Sequence, residues 1–197
     1  LDFEARHCYL DEILGNSINV VFKFYSRENI FMLKSDTLKK NPQENIFKHL
    51  SYREAWTRIK QAQEQEFYLE AVTLEESIIT DRLISYLVGK GTIGRADDLH
   101  KYPSFGQLIT KWKLLHANPI CIRVKSIQFQ NLQTSVDNWR EKRNKVVHGM
   151  VKSHPGTATD EILNFLYEAK LTAKEGEILA YAVSSWVRKS KSNSSNH

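Results

Sequence analysis

The residues best suited to chemistry lie together in the run Trp139-Arg140-Glu141-Lys142-Arg143-Asn144-Lys145-Val146-Val147-His148-Gly149. Arg143 and Asn144 are followed, after three residues, by His148. A guanidinium grips phosphate oxygens with a forked set of donors and stays charged at any working pH. An imidazole is the side chain best tuned to move protons near neutrality. The pair suits metal-free cleavage of a phosphodiester; a basic helix end carrying a chance histidine is the bland alternative.

The spacing sets conditions on that chemistry. On a straight helix, residues five apart are rotated by about 140° and separated by about 7.5 Å. Arg143 and His148 therefore converge only because arginine is long and because Gly149 lets the chain leave the helix at the last turn. Asn144 and His148, four apart, share a face, so Asn144 is a candidate to hydrogen-bond the imidazole and set its tautomer. Arg140, Lys142, Lys145 and Lys152 flank the motif and suit phosphate contacts, or are ordinary surface cations. From Lys111 onward there are 14 Lys/Arg and 7 Asp/Glu, against 14 and 16 in the first 110 residues. The basic excess thus sits in the half that holds the motif, where it would attract polyanions.

Helices must position these groups. From Ser51 to Val88, Trp56, Ile59, Phe67, Ala71, Leu74 and Ile78 recur at helical steps, with Ser51 and Glu54 as a capping pair and Gly89-Lys90-Gly91 as the stop. A span that long invites a break. Ser104 and Gln107 open a second helix that ends near His116. The motif helix is expected from about Lys125 to His148, with Ile127, Leu132, Val136, Trp139, Val146 and Val147 turned inward. Asp160 to Lys170 reads as a helix, and Thr172 with Glu175 as the cap of a last helix through Trp186. The serine-rich stretch 190–197 reads as a flexible tail. In residues 1–50, Ile18 to Tyr25 and Ile30 to Leu33 read as a small hairpin around Ser26-Arg27-Glu28-Asn29, or as short helices.

Composition narrows the function. Apolar residues at 41% support a packed core, and no stretch reaches the roughly 20 apolar residues of a membrane helix. Leu1 is not an initiator and reads as the start of a trimmed or processed chain; no secretory signal is expected, and the expected setting is the cytoplasm. Cys8 and Cys121 have no paired spacing and read as unpaired thiols. His7, His49, His100, His116 and His154 lack metal-ligand spacing, and no Gly-rich phosphate loop follows a strand, so neither metal nor cofactor is expected.

An all-helical chain that ends a long helix in Arg-Asn-x-x-x-His resembles the HEPN (higher eukaryotes and prokaryotes nucleotide-binding) superfamily. Arg143, Asn144 and His148 match its motif, and the resemblance covers about Ser51 to Lys189. It implies an all-α helical bundle over 51–189 with residues 1–50 as an N-terminal extension. It also implies a metal-independent endoribonuclease of toxin or phage-defence type, leaving a 2′,3′-cyclic phosphate and a 5′-hydroxyl. Arg143 would stabilise the phosphorane and His148 would transfer the proton. Glu75, Glu76 and Asp81, on the helix the family packs near the motif, become candidates to orient Arg143; a solvated acidic face is the other reading. The implied partners are RNA, a second copy meeting the segment Trp139 to His148, and an antitoxin or defence-complex protein. A catalytically inactive helical module that binds RNA, nucleotide or protein is the runner-up.

Overall fold

The computed structural model describes residues 42–95, 101–116, 118–149 and 159–194. Contacts divide the chain into units Leu1–Pro42 and Gln43–His197, and the described residues after Pro42 build the second. Five helices and one hairpin follow in order: α1 (Pro42–Glu64), α2 (Tyr68–Gly89), α3 (Phe105–Leu115), β1 (Ile122–Val124), β2 (Ile127–Phe129), α4 (Leu132–Gly149) and α5 (Thr159–Ser194). The hairpin expected between Ile18 and Leu33, Cys8 and Lys152 lie outside the described residues.

The first long helical span is two helices, and it starts earlier than Ser51. Pro42 occupies the first helical position, where a missing N–H costs nothing. Ser51 lies inside α1 with its hydroxyl donating to the Phe47 carbonyl at 3.0 Å, so it caps no helix start. The break falls at Glu66, whose φ is 61°. The Phe67 N–H reaches Ala62 O at 2.7 Å and the Glu66 N–H reaches Gln63 O at 3.3 Å. These are the two bonds of a Schellman stop, built here on a glutamate instead of the usual glycine. The end of α2 repeats the device with the expected residue. Gly91 has φ +67°, and Thr92 and Gly91 donate to Leu87 O at 2.9 Å and Val88 O at 3.0 Å.

Helix α3 opens as its sequence implies, with Gln107 Oε1 accepting from the Ser104 N–H at 2.9 Å. The next stretch differs. Lys125 begins no helix; it takes φ 53° in the two-residue turn of the hairpin, which pairs Ile122 with Phe129 and Val124 with Ile127. Ile127 is accordingly 39% exposed and not inward. Helix α4 starts at Leu132 behind Asn131, whose Oδ1 accepts from the Thr134 N–H at 3.0 Å. Helix α5 has no break at Thr172, which is buried within one 36-residue helix. That helix also continues past residue 190 to Ser194.

Order of contact gives the topology. Tyr68 meets Lys170, Glu75 meets Gly176 and Ser85 meets Lys191, so α2 and α5 run parallel. Trp139 meets Gly176 and Gly149 meets Phe165, so α4 runs against α5. Ile79, Leu83, Leu108, Trp112, Leu132, Trp139, Leu179 and Val183 fill the space between them. Trp112, Tyr86, Trp186 and His116 cluster toward the ends of α2 and α3. Tyr86 Oη and His116 Nε2 are 2.8 Å apart there, and burial with the nearby Lys90 charge pulls the imidazole below its ordinary pKa.

At the crossing of α2, α4 and α5, Trp139 Nε1 donates to Thr172 O at 2.9 Å. A Cβ on Gly176 would overlap Glu75 Oε2 and lie 2.7 Å from Trp139 Cζ2. Gly→Ala in an open helix gains about 1 kcal/mol. Gly176→Ala is instead expected to lose about 1–3 kcal/mol through overpacking, read as a lower urea midpoint; an unchanged or higher midpoint would refute this packing.

Candidate functional site

The site sits on the C-terminal half of α4. Trp139 and Val146 anchor that helix inward, so the residues between them turn toward α2, α5 and solvent. Arg143 forms an ion pair with Glu76 of α2, and the two side chains are 20% and 17% exposed. Arg143 Nη1 also donates to Asn144 Oδ1 at 2.9 Å, while Nε is buried without a partner among the described residues. Burial pushes the Glu76 carboxyl above its ordinary range, against the pull of the Arg143 guanidinium. Desolvation thus outweighs attraction for this carboxyl, even in direct contact with its partner.

The three candidate carboxylates separate. Glu76 is the one that reaches Arg143. Glu75 is neither a solvated charge nor a partner of Arg143: it is fully buried beside Trp139 and Gly176. Its Oε1 accepts from Gln63 Nε2 at 3.3 Å, and its Oε2 has no partner among the described residues. Burial, with a lesser contribution from Glu177, pushes its pKa up to about 9, so it is a neutral acid of the core. Asp81 is also removed from Arg143, held by Lys48 at 2.8 Å and by the Tyr52 hydroxyl.

His148 is exposed on the last turn of α4. Among the described residues Asn144 spends its Oδ1 on Arg143 and shows no hydrogen bond to the imidazole. Two of the flanking cations are committed within the chain. Arg140 donates to Asp137 at 3.0 Å and Glu141 at 2.5 Å, and Lys142 binds Glu175 of α5 at 2.7 Å. Burial pushes the Asp137 carboxyl up, but Lys113 and Arg140 outweigh it and hold the pKa below the usual range. Lys145 is exposed. Within the segment Trp139 to His148, Trp139 and Val146 lie in the chain's own core. Its exposed members are Glu141, Lys142, Lys145 and His148.

Sequence reasoning overlooked Glu175 as the partner of Lys142, and Phe165, which lies against Gly149 at the end of α4. Neither carries a local signal, since both contacts depend on how α5 crosses α4. Among the described residues no group of His, Cys, Asp and Glu is placed to hold a metal ion, and no helix is long and apolar enough to cross a membrane. Comparison with family models, curated proteins and solved structures finds no match.

Two outcomes follow from the paired carboxylates. The folded state keeps Glu75 protonated up to about 9, whereas the unfolded chain releases that proton near pH 4.3 or so, roughly the free value. Across this window the folded state binds more protons, so this group's contribution is complete below the unfolded value and lost as pH rises toward 9. Glu75→Gln removes the dependence, and its stability relative to the parent is expected to climb steadily between about pH 5 and pH 8. Parallel pH profiles for the two proteins would contradict the buried-acid assignment. Arg143→Ala strands Glu76 in a part-buried site and is expected to cost about 1–3 kcal/mol of stability, measured by denaturation. An unchanged stability would mean that the pair contributes nothing to the fold.

Proposed function

We propose that this chain is a metal-independent endoribonuclease of the HEPN type, with Arg143 and His148 as its working groups. The observation that carries the reading is the division of labour on one helix end: a guanidinium fixed by Glu76 and Asn144, followed by an exposed imidazole. Each Nη of arginine carries two hydrogens. One on Nη2 goes to Glu76 and one on Nη1 to Asn144, which leaves a second hydrogen on each for a phosphate oxygen. The clamp is preorganised, so little side-chain freedom is lost when it binds.

In this reading His148 accepts the proton of the RNA 2′-hydroxyl or protonates the departing 5′-oxygen. Attack of the 2′-oxygen forms the new P–O bond and expels the 5′-oxygen, leaving a 2′,3′-cyclic phosphate. Arg143 stabilises the charge that grows on the equatorial oxygens. DNA has no 2′-hydroxyl and is not a substrate for this chemistry. A toxin or phage-defence role in the cytoplasm, with an antitoxin or larger complex as a further partner, belongs to the same proposal.

The second reading is a non-enzymatic helical module, and the engagement of Arg140 and Lys142 by acidic neighbours favours it. His148→Ala separates the two, because its exposed side chain can be removed without loss of packing, whereas Arg143→Ala also costs stability. Purified chain incubated with varied RNAs in EDTA is expected to cleave, with His148→Ala reduced by about a hundredfold or more, the scale of lost acid–base catalysis. Equal cleavage by parent and His148→Ala, or none by the parent, leaves the binding module as the better account.

A further inference from the structure

Helices α1 and α2 run antiparallel, with Tyr52 against Asp81 and Gln63 against Glu75, and they are tied together at both ends. At one end Lys48 and the Tyr52 hydroxyl hold Asp81. At the other the chain turns through Glu66 and Phe67. Between these ties the two helices enclose an open groove of about 930 Å³, at the upper end of the range for ligand clefts. Its floor is apolar: Ala62 is buried, and Leu69 and Leu74 are half-buried against the core. Phe67 lines the groove beside the turn and is 59% exposed.

The walls are acidic. Glu54 and Glu64 of α1 and Glu70 of α2 line the groove, and Arg58 is the one cation among the lining residues. Three carboxylates against one guanidinium leave a local balance of −2, on a chain whose net charge is +5. Arg58 shows what such walls favour. Its Nε donates to Glu54 Oε1 at 2.8 Å, and Glu54 foremost, with Glu70 adding a smaller pull, raises the pKa of the guanidinium. Glu64 and Glu70 form no ion pair among the described residues. One cation is thus already drawn to these carboxylates, and two of the three have no ion-pair partner there.

These features select the occupant. A polyanion such as RNA is repelled by the walls. A wholly apolar segment would bury the carboxylates of Glu64 and Glu70 without compensation. A peptide that joins Lys or Arg to large aliphatic side chains satisfies both walls and floor, and charge complementarity sets its register. From Glu54 to Glu64 the groove follows about 15 Å of α1, nearly three helical turns, the scale on which an amphipathic helix lays its apolar face into a groove.

We propose that the groove between α1 and α2 is a docking site for a basic amphipathic helix of a partner protein, with Glu64 and Glu70 receiving its cations and Phe67, Leu69 and Leu74 its apolar face. The site shares no residue with the Arg143 and His148 region and stands independently of the ribonuclease reading.

Fluorescence anisotropy on the full chain tests it, with a labelled amphipathic helical peptide of leucine and lysine as the probe. The parent is expected to bind with micromolar affinity and to ignore the same peptide carrying glutamate in place of lysine. Glu64→Lys combined with Glu70→Lys is expected to weaken binding by about tenfold or more, and Phe67→Ser, which sets a favoured residue at the start of α2, by about tenfold. Glu64→Gln with Glu70→Gln adds no positive charge and is expected to weaken binding in the same direction, should the reversal disturb the helical spectrum. Glu141→Lys with Glu168→Lys makes the same change of net charge at exposed positions outside the groove and is expected to stay within about twofold of the parent. A parent that does not bind, an equal loss in both lysine double variants, or indifference to Phe67→Ser would overturn the proposal. So would a parent that self-associates and is dissociated by the peptide, which would assign the groove to a second copy. RNA cleavage by the same samples bears on the nuclease reading alone.

Discussion

The hydrogen bond from Trp139 Nε1 to Thr172 O, made where Gly176 has no side chain, is the constraint on which the rest of the arrangement rests. It fixes α4 on α5 at a distance that a methyl group would spoil. The same point seats Glu75 of α2, so three helices share one register. The candidate site inherits that register directly. Glu76 follows Glu75 on α2 and Arg143 stands one turn beyond Trp139 on α4, so the ion pair forms one step out from the core contact. Displacing that contact by an ångström would move the guanidinium relative to its carboxylate, and reacting geometries tolerate little of that.

Glu75 and Glu76 show how a single chain position separates two electrostatic fates. Adjacent helical residues differ by about 100° in direction. One therefore points into the core and is held neutral by desolvation, while the next points along the helix boundary and meets a cation. Neither is an ordinary surface acid. The neutral core acid tolerates burial by giving up its charge, and the boundary acid tolerates it by sharing one.

Where a local backbone signal ends an element, sequence and structure agree. Gly91 supplies the left-handed residue that stops α2, and Ser104 and Gln107 supply the box that opens α3, whereas Gly149, read as a stop, is itself the last residue of α4. Elsewhere the decisive residue carries a weak or misleading signal. Glu66 does glycine's work at the α1 stop, so the turn was invisible as a break. Ser51 and Thr172 mimic caps, but each lies within a continuous helix. Lys125 in a left-handed turn hides a hairpin whose Ile-Gln-Phe strand resembles helical spacing when joined to Leu132. Of the site, Arg143 and exposed His148 were legible as a helix end, but the choice among three carboxylates was not. One clue was present and unused: Glu75 shares the apolar stripe of Val72, Ile79 and Leu83, a position that faces the core.

The order in which this structure can assemble follows from the parallel pairing of α2 with α5. The contacts of α1 with α2 and of α3 with α4 join neighbours in sequence, so they close small loops and form early. The α2–α5 seam joins residues about a hundred positions apart, as Tyr68 with Lys170 and Ser85 with Lys191 illustrate, and it closes late. During synthesis α5 emerges after the other described helices, and until it docks Trp139 lacks the Thr172 carbonyl and α4 is held through α2 and α3 alone. The helix that presents Arg143 and His148 thus gains its seat at Gly176 only with the last of the described helices.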